Sequence, residues 1–237
     1  MEPGSDRRAN PPGGDSFGPV HRFGEAVAGD AMGIQLDRAA LAIVAALRRD
    51  VDEDEAMTEL DALADGVDGF DDLRHQLYER HRFAGACPPS DDPNLSFLDV
   101  VLARRRGLPI LLGAVMIEVG RRAGVPVLGV NLPLHFLVCD GRRPDVLVDP
   151  CTGRPLDADG ARAVLERLAH GRVTWSDRHL RPVPNRHVVI RMLTNLQAAY
   201  QRRDDPVRSA IVARLRVMIP ELAQETPAAV RLGAVFN

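Results

Sequence analysis

Gly107-Leu108-Pro109-Ile110-Leu111-Leu112-Gly113-Ala114-Val115-Met116-Ile117-Glu118-Val119-Gly120-Arg121-Arg122-Ala123-Gly124 is the stretch on which the fold turns. Proline suits the first position of a helix, where its missing N–H is not needed. From Ile110 to Val119 the apolar residues fall on nearly every side of a helical projection. A helix that is apolar all round belongs inside a protein. The stretch therefore predicts the central, buried helix of a domain, running from Pro109 to near Arg122. Its apolar run ends at Glu118, too soon to cross a bilayer.

After Gly124 the period changes to that of strands. Val125 to Asn131, His135 to Cys139 and Asp145 to Asp149 are short runs rich in Val and Leu. Gly141-Arg142-Arg143-Pro144 reads as the hairpin loop between the last two, and Pro150 with Gly153 closes the third strand. Asp157 is placed to cap a helix through His170, with Gly171 after it. Asn185 to Arg203 predicts a longer helix, and Asp205-Pro206 opens another that Pro220 stops. That pair, at 185–219, has the layout of a single tetratricopeptide unit.

Upstream of the quoted stretch, Ser96 and Asp99 have the spacing of a capping box. They predict a helix to Arg106, with Gly107 in the left-handed position after it. Three further helices are predicted from Ile34 to Arg49, Glu53 to Ala64 and Asp71 to Arg82, with a loop beginning at Cys87-Pro88-Pro89. Residues 1–30, centred on Pro11-Pro12-Gly13-Gly14, read as a disordered arm. The expected organisation is thus a disordered arm at 1–30, an N-terminal helical part at 31–91, a core at 92–157 and C-terminal helices at 158–237. The fold class is α+β: a central buried helix against a small antiparallel sheet, flanked by helices.

Composition narrows the chemistry. The 237 residues are 45% hydrophobic and only 4% aromatic, so the core rests on Leu, Val, Ile and Ala. A net charge of −3 and the shortage of stacking aromatics argue against a nucleic-acid binder. All 30 basic residues are arginine, which excludes a Schiff-base lysine, a phosphate-loop lysine and a lysine general base. The first residues lack the apolar stretch of a secretory signal. Three cysteines, Cys87, Cys139 and Cys151, show no disulfide-like spacing. The expectation is a cytoplasmic protein in a reducing compartment, without membrane attachment. No C-x-x-C or H-E-x-x-H pair occurs, so neither a metal site nor a cofactor is expected.

An ordered series of motifs surrounds the central helix. It runs Asp92-Pro93-Asn94-Leu95-Ser96, Val101 to Ile110, Glu118 to Val127, Gly129-Val130-Asn131-Leu132-Pro133-Leu134-His135-Phe136 and Val148-Asp149-Pro150. The series resembles the SirB family of bacterial transglutaminase-like proteins, most closely over residues 60–157, with Arg191-Met192-Leu193 and Asn195-Leu196 similar to that family's helical C-terminal part. The resemblance implies a papain-like core. It also implies a superfamily plan of Cys, His and Asp: a thiolate favoured by the dipole at a helix N-terminus, a histidine to take its proton, and an aspartate to orient the histidine.

Carried onto this chain, the plan assigns His135 to the histidine and Asp149 to the aspartate. The cysteine's seat, 15 residues before Gly124, falls on Pro109. Proline has no nucleophile, and the SirB family commonly shows Pro-Ile there. His135 and Asp149 then read as a vestigial pair, and Pro109, Ile110 and Leu134 as the lining of an inherited cleft. Two departures stand out. The residue before the histidine, usually small, is Leu134, and the residue after Asp-Pro, often aromatic, is Cys151.

The expected function is a non-catalytic module that binds a protein or peptide partner. The alternative is a cysteine-dependent amidase, peptidase or acyltransferase using Cys151 with His135 and Asp149. Cys151 would sit diagonally from His135, about 7–8 Å away between Cα atoms, and would lack a helix N-terminus. Cys139 shares a strand with His135 but lies about 13 Å along it.

Overall fold

The computed structural model describes residues 18–48, 50–86 and 92–222. Cys87 and the centre of the expected disordered arm lie outside the described residues.

Four helices come first: α1 (Gly18–Val27), α2 (Leu36–Leu47), α3 (Glu53–Ala64) and α4 (Phe70–His75). Helix α4 passes into a π-helical turn, Gln76–Arg80. The disordered arm expected through residue 30 is corrected at 18–27. There Phe23 and Val27 bury an apolar face in the main core and make α1 a helix of the fold. Helix α3 forms over the predicted range, capped by the Asp52 side chain, which accepts from the Glu55 N–H at 2.9 Å.

Strand β1 (Ala84–Gly85) precedes a 3₁₀ turn (Pro93–Ser96), helix α5 (Leu98–Arg104), strand β2 (Arg106–Gly107) and helix α6 (Pro109–Arg122). Two expectations fail at α5. Ser96 does not cap it; Phe97 holds that position and offers no side-chain bond. The left-handed residue after it is Arg105 (φ 55°), not Gly107. Gly107 sits in β2 because the Val101 side chain and the Leu95 carbonyl occupy the place a Cβ would take.

Helix α6 is the predicted central helix, buried continuously from Ile110 to Gly120. Against it lies a five-stranded antiparallel sheet in the order β6-β5-β4-β3-β7, formed by β3 (Val127–Val130), β4 (Leu137–Asp140), β5 (Arg143–Asp149), β6 (Arg154–Leu156) and β7 (Pro182–Val183). The β4–β5 turn is only Gly141-Arg142, since β5 already begins at Arg143. Phe136, Val138 and Val148 belong to the core shared with α6. Leu137, Cys139 and Leu147 point the other way and pack on α7 (Ala158–Ala169) through Ala161, Val164 and Leu165. This is the alternation of a sheet covered on both faces. At Gly113 helix and sheet meet without a side chain between them, because a Cβ there would lie 2.5 Å from the Phe136 ring.

Asp157 caps α7 as the sequence predicts, accepting from the Gly160 N–H at 2.8 Å, but the helix ends at Ala169, and His170, expected within it, takes the left-handed conformation after its end. Helices α8 (Asn185–Arg202) and α9 (Pro206–Arg216) complete the described chain, with Asp205 capping α9. Among the described residues no helix is long and apolar enough to cross a membrane.

Candidate functional site

His135 does not begin strand β4. It lies in the turn between β3 and β4, two residues before Leu137. The turn is tied by two backbone bonds: the Leu132 N–H donates to the Val130 carbonyl at 3.0 Å, and the His135 N–H donates to the Leu132 carbonyl at 3.0 Å. Leu134 adopts φ 64°. A left-handed residue costs a side-chain-bearing amino acid about 1–2 kcal/mol. The turn therefore favours a small residue there, and this chain accepts the strain to present a leucine beside the imidazole.

Asp149 ends β5. In the β4–β5 register Val138 faces Val148, so the ladder continued by one step sets Leu137 opposite Asp149. His135 reaches Asp149 from one pleat farther along, with His135 Nε2 and Asp149 Oδ1 2.9 Å apart. The same Oδ1 accepts from the Cys151 N–H at 2.8 Å. Both residues are buried, with 9% exposure for His135 and 7% for Asp149. Among the described residues His135 Nδ1 and Asp149 Oδ2 have no polar partner. The contact fixes the ring and leaves Nδ1 for whatever enters.

Tyr78 closes the far side. Its hydroxyl donates to the Pro150 carbonyl at 2.8 Å and touches Met116 Sδ of α6 at 3.5 Å. Burial, with the nearby charge of Asp149, pushes its pKa far above that of an ordinary phenol. Tyr78 works here as a hydrogen-bonded prop that seats the Asp149-Pro150 turn on α6. It occupies the π-helical turn, a feature frequent at functional sites. The sequence places Tyr78 in the helix predicted from Asp71 to Arg82 and gives it no role of its own. An aromatic with a hydroxyl on such a helix is the signal that was available.

A short segment joins the start of α6 to this turn. The Ala84 and Ala86 N–H groups donate to the Arg105 and Gly107 carbonyls at 2.9 and 3.0 Å, while the Gly85 N–H donates to the Cys151 carbonyl at 2.7 Å. One extended segment is thus bonded on one side to β2, which leads into α6, and on the other to the residue two past Asp149. Only glycine fits at 85, because a Cβ would stand 2.1 Å from Cys151 Sγ and 2.7 Å from its Cα.

At the start of α6, Pro109 takes the first helical position and Leu108 precedes it without a side-chain cap. Pro109 is half-buried, Ile110 buried and Leu134 half-buried. Neither described cysteine offers an activated thiol. Cys151 is disulfide-bonded, a correction to the reading that its spacing disfavoured a disulfide. Bonded in this way it presents no sulfhydryl to the imidazole. Cys139 is a free thiol but fully buried on the α7 side of the sheet, and burial pushes its pKa up to about 11. Among the described residues no group of three or more potential ligands could hold a metal ion.

A family model of the transglutaminase-like superfamily matches residues 34–194. The chain belongs to that superfamily. Its curated relatives include the UPF0162 protein of Xylella fastidiosa, 37% identical over 155 residues, which cover 62% of this chain and 55% of that protein. The UPF0162 protein of Pseudomonas aeruginosa is 30% identical over 159 residues, covering 65% of this chain and 58% of that one. The chain spans just over half the length of these relatives. F-box only protein 21 of Mus musculus is 34% identical over 74 residues, 30% of this chain and 12% of the mouse protein. No solved structure matches.

Proposed function

We propose that this transglutaminase-like protein is of the SirB type and is non-catalytic, with Pro109 in the nucleophile's seat. It binds a protein or peptide partner in the cleft beside His135, within a core at 92–157. The observation that carries this reading is the combination at the site. The helix that would present the nucleophile opens with proline, while the histidine–aspartate contact is kept at 2.9 Å. An imidazole held by a carboxylate, with its other nitrogen open, is useful for binding without any thiol. The cytoplasm is the compartment proposed for this role. A disulfide at Cys151 would persist only under oxidising conditions, so the test is run in both redox states.

Wild-type protein, with and without dithiothreitol, is incubated with a glutamine-containing peptide and a fluorescent amine, and both amine incorporation and amide hydrolysis are followed. No turnover is expected in either state. In parallel, a Pro109→Cys variant is titrated with a thiol probe. The introduced thiol should react below the pH range of an ordinary cysteine and lose that advantage in Pro109→Cys/His135→Ala, which identifies the seat. Turnover by the wild type that disappears in Cys151→Ser would overturn the proposal in favour of a cysteine acyltransferase or amidase. Binding is read separately. Peptides selected from a displayed random library should lose affinity for His135→Ala, and a selection indifferent to that change removes the cleft from the account.

A further inference from the structure

Arg191, on α8, is a cation for which the described residues supply no anion. Its Nη1 donates to the Leu132 carbonyl at 3.1 Å and to the Asn131 side-chain oxygen. Both acceptors are neutral, and no carboxylate among the described residues pairs with it. The other inward-facing guanidiniums differ. Arg122 divides its three nitrogens among Asp61, Glu118 and Asp37, and Arg186 pairs with Glu221. Burial draws the Arg191 pKa down to about 10, which still leaves it charged at neutral pH. A partly dehydrated charge without a counter-charge is unfavourable, and a bound anion would offset that.

The position matters as much as the charge. The Leu132 carbonyl that accepts from Arg191 Nη1 also accepts from the His135 N–H. The guanidinium and the His135 backbone therefore share one oxygen atom. A guanidinium has five N–H groups, and the two bonds made here both start from Nη1. The edge formed by Nε and Nη2 has no protein acceptor among the described residues. That edge matches the two oxygens of a carboxylate in a forked pair of charge-assisted bonds.

We propose that the Nε/Nη2 edge of Arg191 binds a carboxylate of the peptide ligand, next to His135. The proposal rests on the reading of the His135 cleft as a peptide site and adds the chemical group that the site selects. A chain terminus and an acidic side chain carry the same group, and the test separates them.

Protein labelled with ¹⁵N at histidine is titrated with three pools of randomised hexapeptides, and the His135 ring signals are followed. One pool has free C-termini and lacks Asp and Glu. The second is C-terminally amidated and contains one acidic residue. The third is amidated and lacks acidic residues. At least one carboxylate pool should move the signals saturably, with the neutral pool about tenfold weaker or worse, the size of effect a charged hydrogen-bonded pair produces. Arg191→Gln should erase the difference and Arg191→Lys, which keeps the charge but not the fork, should restore part of it. Equal affinity for all three pools in the wild type would overturn the role of Arg191 and leave the cleft standing. Signals that no pool moves would sink the cleft as well. Because the pools are compared on unaltered protein, the result holds even if Arg191→Gln folds poorly.

Discussion

Among the described residues, two of the buried polar clusters are built on opposite plans. Between α2 and α6, Asp37 and Glu118 use all four carboxylate oxygens. Asp37 accepts from the Arg38 N–H, Arg121 and Arg122, and Glu118 accepts from the Leu36 N–H, Arg121 and Arg122. At the sheet's end, His135 and Asp149 share one contact and leave Nδ1 and Oδ2 unused. Burying charge is tolerated when every atom is paired, so the first cluster is a structural joint that fixes α2 on α6. The second is left incomplete, and an incomplete buried cluster is where a ligand is useful. Charge and burial alone would rank the two sites the wrong way round; the open atoms distinguish them.

The contrast can be broken by measurement. Glu118→Ala should be the most damaging change, costing about 3–5 kcal/mol in urea unfolding because it strands buried charges. A loss below about 1 kcal/mol, the scale of an exposed ion pair, would mean that the joint is not structural. Asp149→Ala should cost less, about 1–3 kcal/mol, since it orphans one imidazole nitrogen and the Cys151 N–H. Should it cost more than Glu118→Ala, the open cluster is the structural one. Gly85→Ala should cost about 1–3 kcal/mol by overpacking against Cys151. It should also shift the His135 ring signals, and unshifted signals would uncouple β1 from the site.

The smallest effect lies in pH. Burial, then the charge of Asp37, raises the Glu118 pKa above its ordinary 4.5 in the folded protein. The folded state therefore takes up this proton before the unfolded state does. As pH falls through that raised value, wild type should gain stability relative to Glu118→Gln, and the gain should level off below about 4.5. A stability difference between the two that is flat across this range would show that Glu118 titrates like an exposed carboxylate.

Much of the fold was legible because it is written locally. The all-round apolar run of α6, the Asp157 and Asp205 caps and the Val- and Leu-rich strands each carry their signal within a few residues. Helix α1 was missed because only Phe23 and Val27 of its residues are buried, too few to stand out beside a Pro- and Gly-rich segment. Strands β1 and β2, two residues each, have no period to read. At the site, His135 and Asp149 were legible through their motifs. Their diagonal contact, the Tyr78 prop and the strained Leu134 were not, because each depends on where the chain returns. Arg191 was quoted only as part of a helical motif. Its meaning lies in Leu132, far earlier in sequence, which no local pattern connects to it.

The segment bearing Gly85 has a consequence for the order in which the molecule assembles. Its bonds to β2 close a short span of chain, whereas its bond to Cys151 closes one several times longer. Longer loops carry a larger entropic penalty and their contacts form later. The Asp149-Pro150 turn is thus brought against the segment that leads into α6 late in folding, after α6 has acquired its own surroundings.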